Sequence, residues 1–345
     1  MGTRLRDLVI KKEISIDDLK DKKLVVDSYN MLYQFLTTIR MRDGSLLMDS
    51  KGNVTSHLVG LFSRTANMMQ KGLRLAFVFD GKPPKIKEQE RERRKELKEK
   101  AAMEYEIAKE REDIEGMKKY AGRTAVLTRE MVEEAKKLID ALGLPIVQAP
   151  SEGEVQAASM VNSGDAYAEI SQDYDCLMFG VPKLIRNLTI SEKRKLPNRM
   201  AWQTVVPEMI ELRENLRNLG IDQDQLITMC ILMGTDYNPG GIKGIGPKTA
   251  LKLVKENRDY DKLFSDSGWD KYFDFSWKEV FETIKNIKTT DEYDLKWRSF
   301  DREKVKELLC EEHDFSQARV MESLDKLEKE AGSARQKGLG DFFKR

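Results

Sequence analysis

Seven acidic residues supply the most visible chemistry in this sequence. Glu152 and Glu154 stand two apart in "QAPSEGEVQAASMV", where an apolar run gives way to a helical pattern. Asp27 ends the run "KKLVVD", Asp80 ends "RLAFVFD", and "AYAEISQDYD" carries Asp173 and Asp175. Asp236 follows the apolar helical pattern "DQLITMCILMG". A lone aspartate at a strand end is ordinarily a turn or cap residue. Ser151 and Glu154 likewise fit a capping box, S-x-x-E, at a helix start where negative charge is favourable. That reading accounts for Glu154 without catalysis and leaves Glu152 surplus. Seven carboxylates at one locus repel one another unless multivalent cations neutralise them. The donors are all oxygens, and neither His57 nor His313 is placed like a ligand, so Mg²⁺ or Mn²⁺ is favoured over zinc. Two such ions, about 4 Å apart, stabilise the attacking and leaving oxygens of an in-line phosphodiester displacement and activate water, so no side-chain base is required.

The elements that must position these groups alternate. The apolar, β-branched runs read as buried strands of a parallel sheet. Between them lie helical patterns such as "NVTSHLVGLFSRTANMMQKG" and "TREMVEEAKKLIDALG", the latter closing at Gly143 with Pro145 beyond. Strand alternating with helix predicts an α/β fold, a twisted and mostly parallel sheet flanked by helices. In such sheets ligands gather at the carboxyl ends of the strands, where the aspartates fall. After about residue 200 the pattern is mainly helical.

A strongly charged helical segment interrupts this pattern at residues 82–119. From 82 to 100 it carries nine basic residues against five glutamates, a local net of +4. Its first half has almost no large apolar residue, so the plain reading is a solvated helix laced with pairs such as Glu90–Arg94 and Glu96–Lys100. A helix without an apolar face projects from the body rather than packing on a core. The whole chain has a net charge of only +1, so any affinity for nucleic acid rests on where charge is placed. The 345 residues suffice for a sizeable core. No stretch approaches the roughly 20 apolar residues of a membrane span, and the N-terminus lacks a secretory core. Cys176, Cys230 and Cys310 are too dispersed for a metal knot and read as reduced thiols of an intracellular protein.

"GGIKGIGPKTALKLV", from Gly240 to Val254, has the pattern of a helix-hairpin-helix turn. Gly244 and Gly246 let the backbone approach a phosphate, Ile245 fills the turn, and Pro247 suits the first position of the next helix. Backbone N–H groups and the helix N-terminus would then hold phosphates, with Lys243 and Lys248 beside them. Such contacts are sequence-independent and sensitive to salt.

Taken together, "VVDSYNMLYQFL", "VTSHLVGLFSRT", "FVFDGKPPKIK", "APSEGEVQAA", "SQDYDCLMFG", "MGTDYNPGGIKGIGPKTA" and "QKGLGDFF" resemble the structure-specific 5′-nuclease superfamily, most closely the flap endonucleases. The resemblance implies a two-metal site, Asp27, Asp80, Glu152 and Glu154 mainly around one Mg²⁺ and Asp173, Asp175 and Asp236 around the other, with Mn²⁺ able to substitute. It makes the charged segment an arch that receives a single-stranded 5′ flap, with Lys87 and Arg94 stabilising charge at the scissile phosphate. It also implies DNA contacts by Tyr33 (stacking on a base), Arg40, Arg64, Glu152, Gly234 and Asp236, and a K⁺ ion at the helix-hairpin-helix turn. The terminal Gln336, Leu339, Phe342 and Phe343 resemble a sliding-clamp docking motif, brought to one face by a short helical turn.

The implied activity is two-metal hydrolysis of 5′-flap DNA just inside the duplex, with 5′–3′ exonuclease activity, in Okazaki-fragment maturation and repair. The alternatives are a related 5′–3′ exonuclease or a non-catalytic DNA-junction scaffold. The expected organisation is a nuclease domain in two parts (1–98 and 116–258), an arch at 82–122, a helix-hairpin-helix near 238–255, a helical part at 259–330 and a clamp-binding tail at 331–345. A monomer is expected, with no membrane partner. The short tail favours an archaeal source, hence a nucleoid-associated cytoplasmic enzyme; a eukaryotic one would be nuclear. The start "MGTRLRDLV" departs from the family's usual Met-Gly-Val at Thr3, Arg4 and Arg6.

Overall fold

A computed structural model describes residues 5–189, 193–195 and 202–342. The strands among them are β1 (Lys12–Glu13), β2 (Lys23–Asp27), β3 (Arg74–Phe79), β4 (Ile146–Gln148), β5 (Ala168–Ile170), β6 (Lys183–Arg186), β7 (Lys193–Lys195), β8 (Trp202–Thr204) and β9 (Glu208–Glu211). Seven form one sheet in the order β1-β9-β6-β5-β2-β3-β4, while β7 and β8 pair separately. β2 runs parallel to both β3 and β5, β3 to β4, and β5 to β6. Within that sheet only β9 runs against its neighbours, β1 and β6. The sheet is therefore mostly parallel, as the apolar runs predict.

The chain builds outward from β2 in one direction through β3 and β4, and in the other through β5 and β6. That reversal is a topological switch point, which opens a crevice beyond the carboxyl ends of β2, β3 and β5.

The helices of the sheet region are α1 (Ser28–Thr38), α2 (Ser56–Gln70), α3 (Glu88–Glu110), α4 (Ile114–Ala121), α5 (Arg129–Ala141), α6 (Gly153–Asn162) and α7 (Asp175–Met178). After the sheet come α8 (Leu212–Leu219), α9 (Gln223–Met233), α10 (Pro247–Glu256), α11 (Tyr260–Asp266), α12 (Trp277–Lys285), α13 (Arg302–Lys306) and α14 (Gln317–Phe342). Two apolar layers sandwich the sheet, and the period-2 alternation of β2 shows how. Leu24 and Val26 face a layer with Leu32, Phe35, Leu61, Leu138 and Leu324, drawn from α1, α2, α5 and α14. Val25 faces the other, with Ala157, Leu177, Ile231, Val254 and Val280 from α6, α7, α9, α10 and α12. With both faces covered, the central strands β2 and β3 are apolar between their ends, which is why their runs are so legible.

The charged segment forms α3 and α4, and of α3 only Glu90, Ala101 and Ala108 are buried. The solvated-helix reading holds for most of α3 but fails at Glu90, which is 4% exposed. The C-terminal stretch, expected as a glycine-containing tail with a single helical turn, continues α14 through Gln336, Leu339 and Phe342. Phe343 and residues 1–4 lie outside the described residues, and the side chains beyond residue 330 do as well. Among the described residues no helix is long and apolar enough to cross a membrane.

Candidate active site

Each predicted carboxylate except Asp236 sits where β2, β3, β4 or β5 hands over to the following segment. Asp27 closes β2 and is the N-cap of α1, its Oδ1 accepting the Asn30 N–H at 3.0 Å. Asp80 follows β3 directly. Its Oδ1 accepts the Gly153 N–H at 2.6 Å, an approach open only because residue 153 has no side chain: a Cβ there would stand 2.5 Å from that same oxygen. Asp173 follows β5, and Asp175, the first residue of α7, donates its N–H to Asp173 Oδ1 at 3.2 Å. Asp236 follows α9.

The capping box expected at Ser151 and Glu154 does not form. The N-cap of α6 is Glu152, whose side chain accepts no capping N–H of the helix, while the Ser151 hydroxyl donates to the Lys82 carbonyl at 3.1 Å. Ser151 is drawn away to tie the chain entering the arch, and both glutamates are released toward the rim. A complete capping box stands elsewhere, at Asp222 and Gln225 before α9.

The electrostatics show that the carboxylates share one locus. Burial, then the charges of Asp173 and Glu152, push Asp27 up to about 6 against hydrogen bonds from Asn30 and Ser171. Burial, then Asp27 and Glu152, push Asp80 up to about 7, with the Gly153 N–H and Lys87 pulling the other way. Burial, then Asp173, Asp27 and Asp175, raise Glu154 well above the usual carboxyl range. Asp236 joins them through cations. Lys87 Nζ lies 2.6 Å from Glu152 Oε2 and 3.7 Å from Asp236 Oδ2, and the Arg94 guanidinium bonds Asp236 Oδ1. Burial alone would depress the Lys87 ammonium, but Tyr237, Glu152, Glu154 and Asp236 outweigh it and raise it.

The donor set suits a hard divalent cation. Every predicted ligand offers carboxylate oxygen, and the buried, mutually repelling acids bind protons more tightly than free ones, a burden that a multivalent cation would relieve. Among the described residues no three acidic, histidine or cysteine side chains are already drawn into a finished ligand shell. The Lys87 ammonium stands as a cation between two of the predicted ligands. His57 and His313 are buried and hydrogen-bonded to Glu134 and Asp49 respectively, in keeping with their reading as non-ligands.

The other predicted contacts surround this centre. Tyr33, on α1, lies beneath Lys98 of α3, whose Nζ is 4.8 Å from the ring centroid. Arg40, just past α1, donates to the carbonyls of Leu36 and Gly44 and keeps a buried Nη2 with no partner among the described residues. Arg64 is half-buried on α2. In the helix-hairpin-helix turn Gly246 is the N-cap of α10 and Pro247 its first residue, with Lys243 and Lys248 exposed. Gly234 ends α9 at φ +97, and a Cβ on it would lie 2.6 Å from the Gly241 nitrogen.

Three site residues escaped the sequence reading. The Tyr237 ring lies under Lys87 Nζ at 5.0 Å from its centroid, and the Tyr237 hydroxyl is buried without a partner among the described residues. Its adjacency to Asp236 was the available signal. Glu169, fully buried on β5, accepts a hydrogen bond from the Cys176 thiol at 3.2 Å. Burial first and Asp27 next raise it well above the usual range. An acid inside the buried run "YAEI" was the clue. Glu90 was read only as one half of a surface pair.

Family models for the XPG N-terminal domain and the XPG I-region match residues 4–101 and 143–236. Flap endonuclease 1 of Pyrococcus abyssi is 49% identical over 344 residues, 99% of this chain and 98% of the relative. That of Staphylothermus marinus is 49% identical over 350 residues, 99% and 100% of the two chains. The solved flap endonuclease-1 from Methanococcus jannaschii superposes with a TM-score of 0.76 at 42% identity, covering 96% of this chain and 100% of that one. The catalytic core of Rad2 in complex with a DNA substrate shares the fold, with a TM-score of 0.69 at 21% identity over 95% of this chain and 100% of that one. The chain belongs to the flap endonuclease family.

Proposed function

We propose that this chain is a structure-specific, metal-dependent nuclease that hydrolyses branched DNA at the junction between a duplex and its 5′ flap, with 5′–3′ exonuclease activity, in Okazaki-fragment maturation and DNA repair. One observation carries the reading: Lys87 and Arg94, from the base of the arch, meet Glu152 and Asp236 of the carboxylate cluster. Carboxylates without those cations would repel a phosphate, and the cations without carboxylates could hold one but not hydrolyse it.

Asp27, Asp80, Glu152 and Glu154 hold one Mg²⁺ in this proposal and Asp173, Asp175 and Asp236 a second, with Mn²⁺ able to replace either. When bound, the pair supplies Lewis-acid charge to the attacking and leaving oxygens of an in-line displacement. Lys87 and Arg94 add fixed positive charge at the scissile phosphate. Tyr33 stacks on a base beside the cut, and Arg40 and Arg64 hold backbone phosphates, with Glu152 and Asp236 lying against the DNA as well. Gly234, Lys243, Gly244, Gly246 and Lys248 form the duplex grip, completed by a K⁺ ion. The protein works as a monomer, and Gln336, Leu339, Phe342 and Phe343 dock on a sliding clamp.

The test compares a 5′-flap duplex, a blunt duplex and single strands, each with Mg²⁺ and with chelator. Flap cutting that needs divalent metal and exceeds the other two substrates is expected. Undiminished cutting under chelation would refute the metal reading, and faster digestion of the blunt duplex would recast the enzyme as an exonuclease. Deleting residues 336–345 should abolish clamp stimulation while basal cutting persists; stimulation that survives would refute the tail assignment.

A further inference from the structure

Glu90 is a buried acid on a helix that is otherwise almost wholly exposed, at 4% exposure in the first turn of α3. Its carboxylate accepts from Arg93 Nε at 2.7 Å, Arg93 Nη2 at 2.8 Å and Arg94 Nε at 2.7 Å. Arg94 then reaches Asp236 with its terminal nitrogen Nη2. Nε is thus held by Glu90 while Nη2 of the same guanidinium reaches the rim. Burial alone would raise Glu90, but hydrogen bonds from Arg93 and Arg94 overcome it and hold its carboxyl below the ordinary value.

We propose that Glu90 is the positioning residue for Arg94, holding Nε so that the terminal nitrogens of the guanidinium stay at the rim where the scissile phosphate binds. The spacing explains how. Residues three and four apart share a helix face, so Glu90 at i meets both Arg93 and Arg94. An unrestrained arginine side chain loses much rotamer entropy on ordering. Glu90 imposes that order before substrate arrives, and its charge-assisted bonds direct the planar fork. Arg93 acts as a second brace on Glu90, bonding both oxygens of the carboxylate. The inference rests on Arg94 acting at the phosphate, as proposed above.

The experiment is a double-mutant cycle on the full chain: E90A, E90Q, R93A, R94A and E90A/R94A. Single-turnover cleavage of a 5′-flap duplex in Mg²⁺ is measured beside flap affinity in Ca²⁺. E90A is expected to slow cleavage about tenfold, the scale of a lost hydrogen bond to a charged group, with affinity changed by less than about twofold. E90Q keeps the shape and one acceptor oxygen, and should fall between E90A and wild type. R93A should slow cleavage by less than about threefold. In the R94A background, E90A should add no further loss. Wild-type turnover in E90A beside a slow R94A would overturn the positioning role. Equal slowing by E90A with or without Arg94 would also overturn it, because Glu90 would then act elsewhere. Wild-type turnover in R94A itself would instead overturn the reading of Arg94 on which the inference rests. Thermal melting separates either result from unfolding, with E90Q as the variant least able to disturb the helix.

Discussion

Acidifying the chelated protein from pH 8 to pH 5 is expected to stabilise it, the reverse of what hydrogen-bonded surface carboxylates do. Asp27 rises from 3.8 to about 6 and Asp80 from 3.8 to about 7 on folding, chiefly through burial and secondarily through their acidic neighbours. Both acids therefore bind protons more tightly folded than unfolded. At pH 8 they are ionised in both states, and the folded protein bears the full penalty. As pH falls below the folded values the native acids take up protons that the unfolded chain still releases, so stability climbs. At about 1.4 kcal/mol per pH unit, pH 5 returns about 3 kcal/mol at Asp80 and about 1 kcal/mol at Asp27. The two share part of one repulsion, so the total is about 3 to 4 kcal/mol. Glu154 moves in the same direction. Urea midpoints in chelator should then rise by roughly 1 M between pH 8 and pH 5, given a slope of about 3 to 4 kcal/mol/M for a chain of this size. Saturating Mg²⁺ should narrow or reverse the gap, because it stabilises most where no proton competes for the ligands. A midpoint that is flat or falls on acidification in chelator would refute the raised proton affinity of these buried acids.

Asp175→Ala should reduce turnover about a thousandfold or more, the scale of lost Lewis-acid catalysis, while flap affinity stays within about threefold; normal turnover in that variant would remove Asp175 from the site. Gly234→Ala forces a Cβ to 2.6 Å from the Gly241 nitrogen and 2.8 Å from the Gly240 carbonyl carbon at φ +97. It should cost about 2 to 4 kcal/mol in urea unfolding and loosen the helix-hairpin-helix turn, and a stability within about 0.5 kcal/mol of wild type would show that the turn can shift freely. Replacing Lys243 and Lys248 together by alanine should reduce the slope of log affinity against log salt by about 1 to 2 while leaving single-turnover cutting at saturation unchanged; an unaltered slope would place both lysines off the phosphates.

The strand ends were legible because burial on both faces leaves unbroken apolar runs, and a charge at the end of such a run is conspicuous. Asp27, Asp80 and Asp173 are of this kind. Glu152 and Glu154 were harder, since S-x-x-E reads as a cap wherever local rules prevail. Here a tertiary contact, the Ser151 hydroxyl on the Lys82 carbonyl, removes the capping oxygen. No local pattern encodes that contact, because it joins segments 69 residues apart. Glu90 failed for the opposite reason: its partners are local and were visible, but its burial depends on how α3 meets the body. Glu169 lay in plain view as an acid within a strand, yet its pairing with Cys176 requires the fold to bring α7 beneath β5.

The balance of charge bears on how many cations the rim accommodates. Seven carboxylates carry a formal charge of about −7 when ionised, and Lys87 with Arg94 returns +2, leaving about −5. One divalent ion would leave about −3 in a crevice where burial and mutual repulsion already raise Asp27 and Asp80. A second leaves about −1, a residue that the N–H groups at Asn30 and Gly153 can spread over hydrogen bonds. A phosphate entering the crevice adds negative charge again, so on the proposed two-ion reading the site would favour substrate only with both ions and both arch cations present. The arch and the metal ligands are therefore one electrostatic unit: Arg94 drawn away from Asp236 weakens the hold on phosphate and also leaves a carboxylate of the second metal group less well compensated.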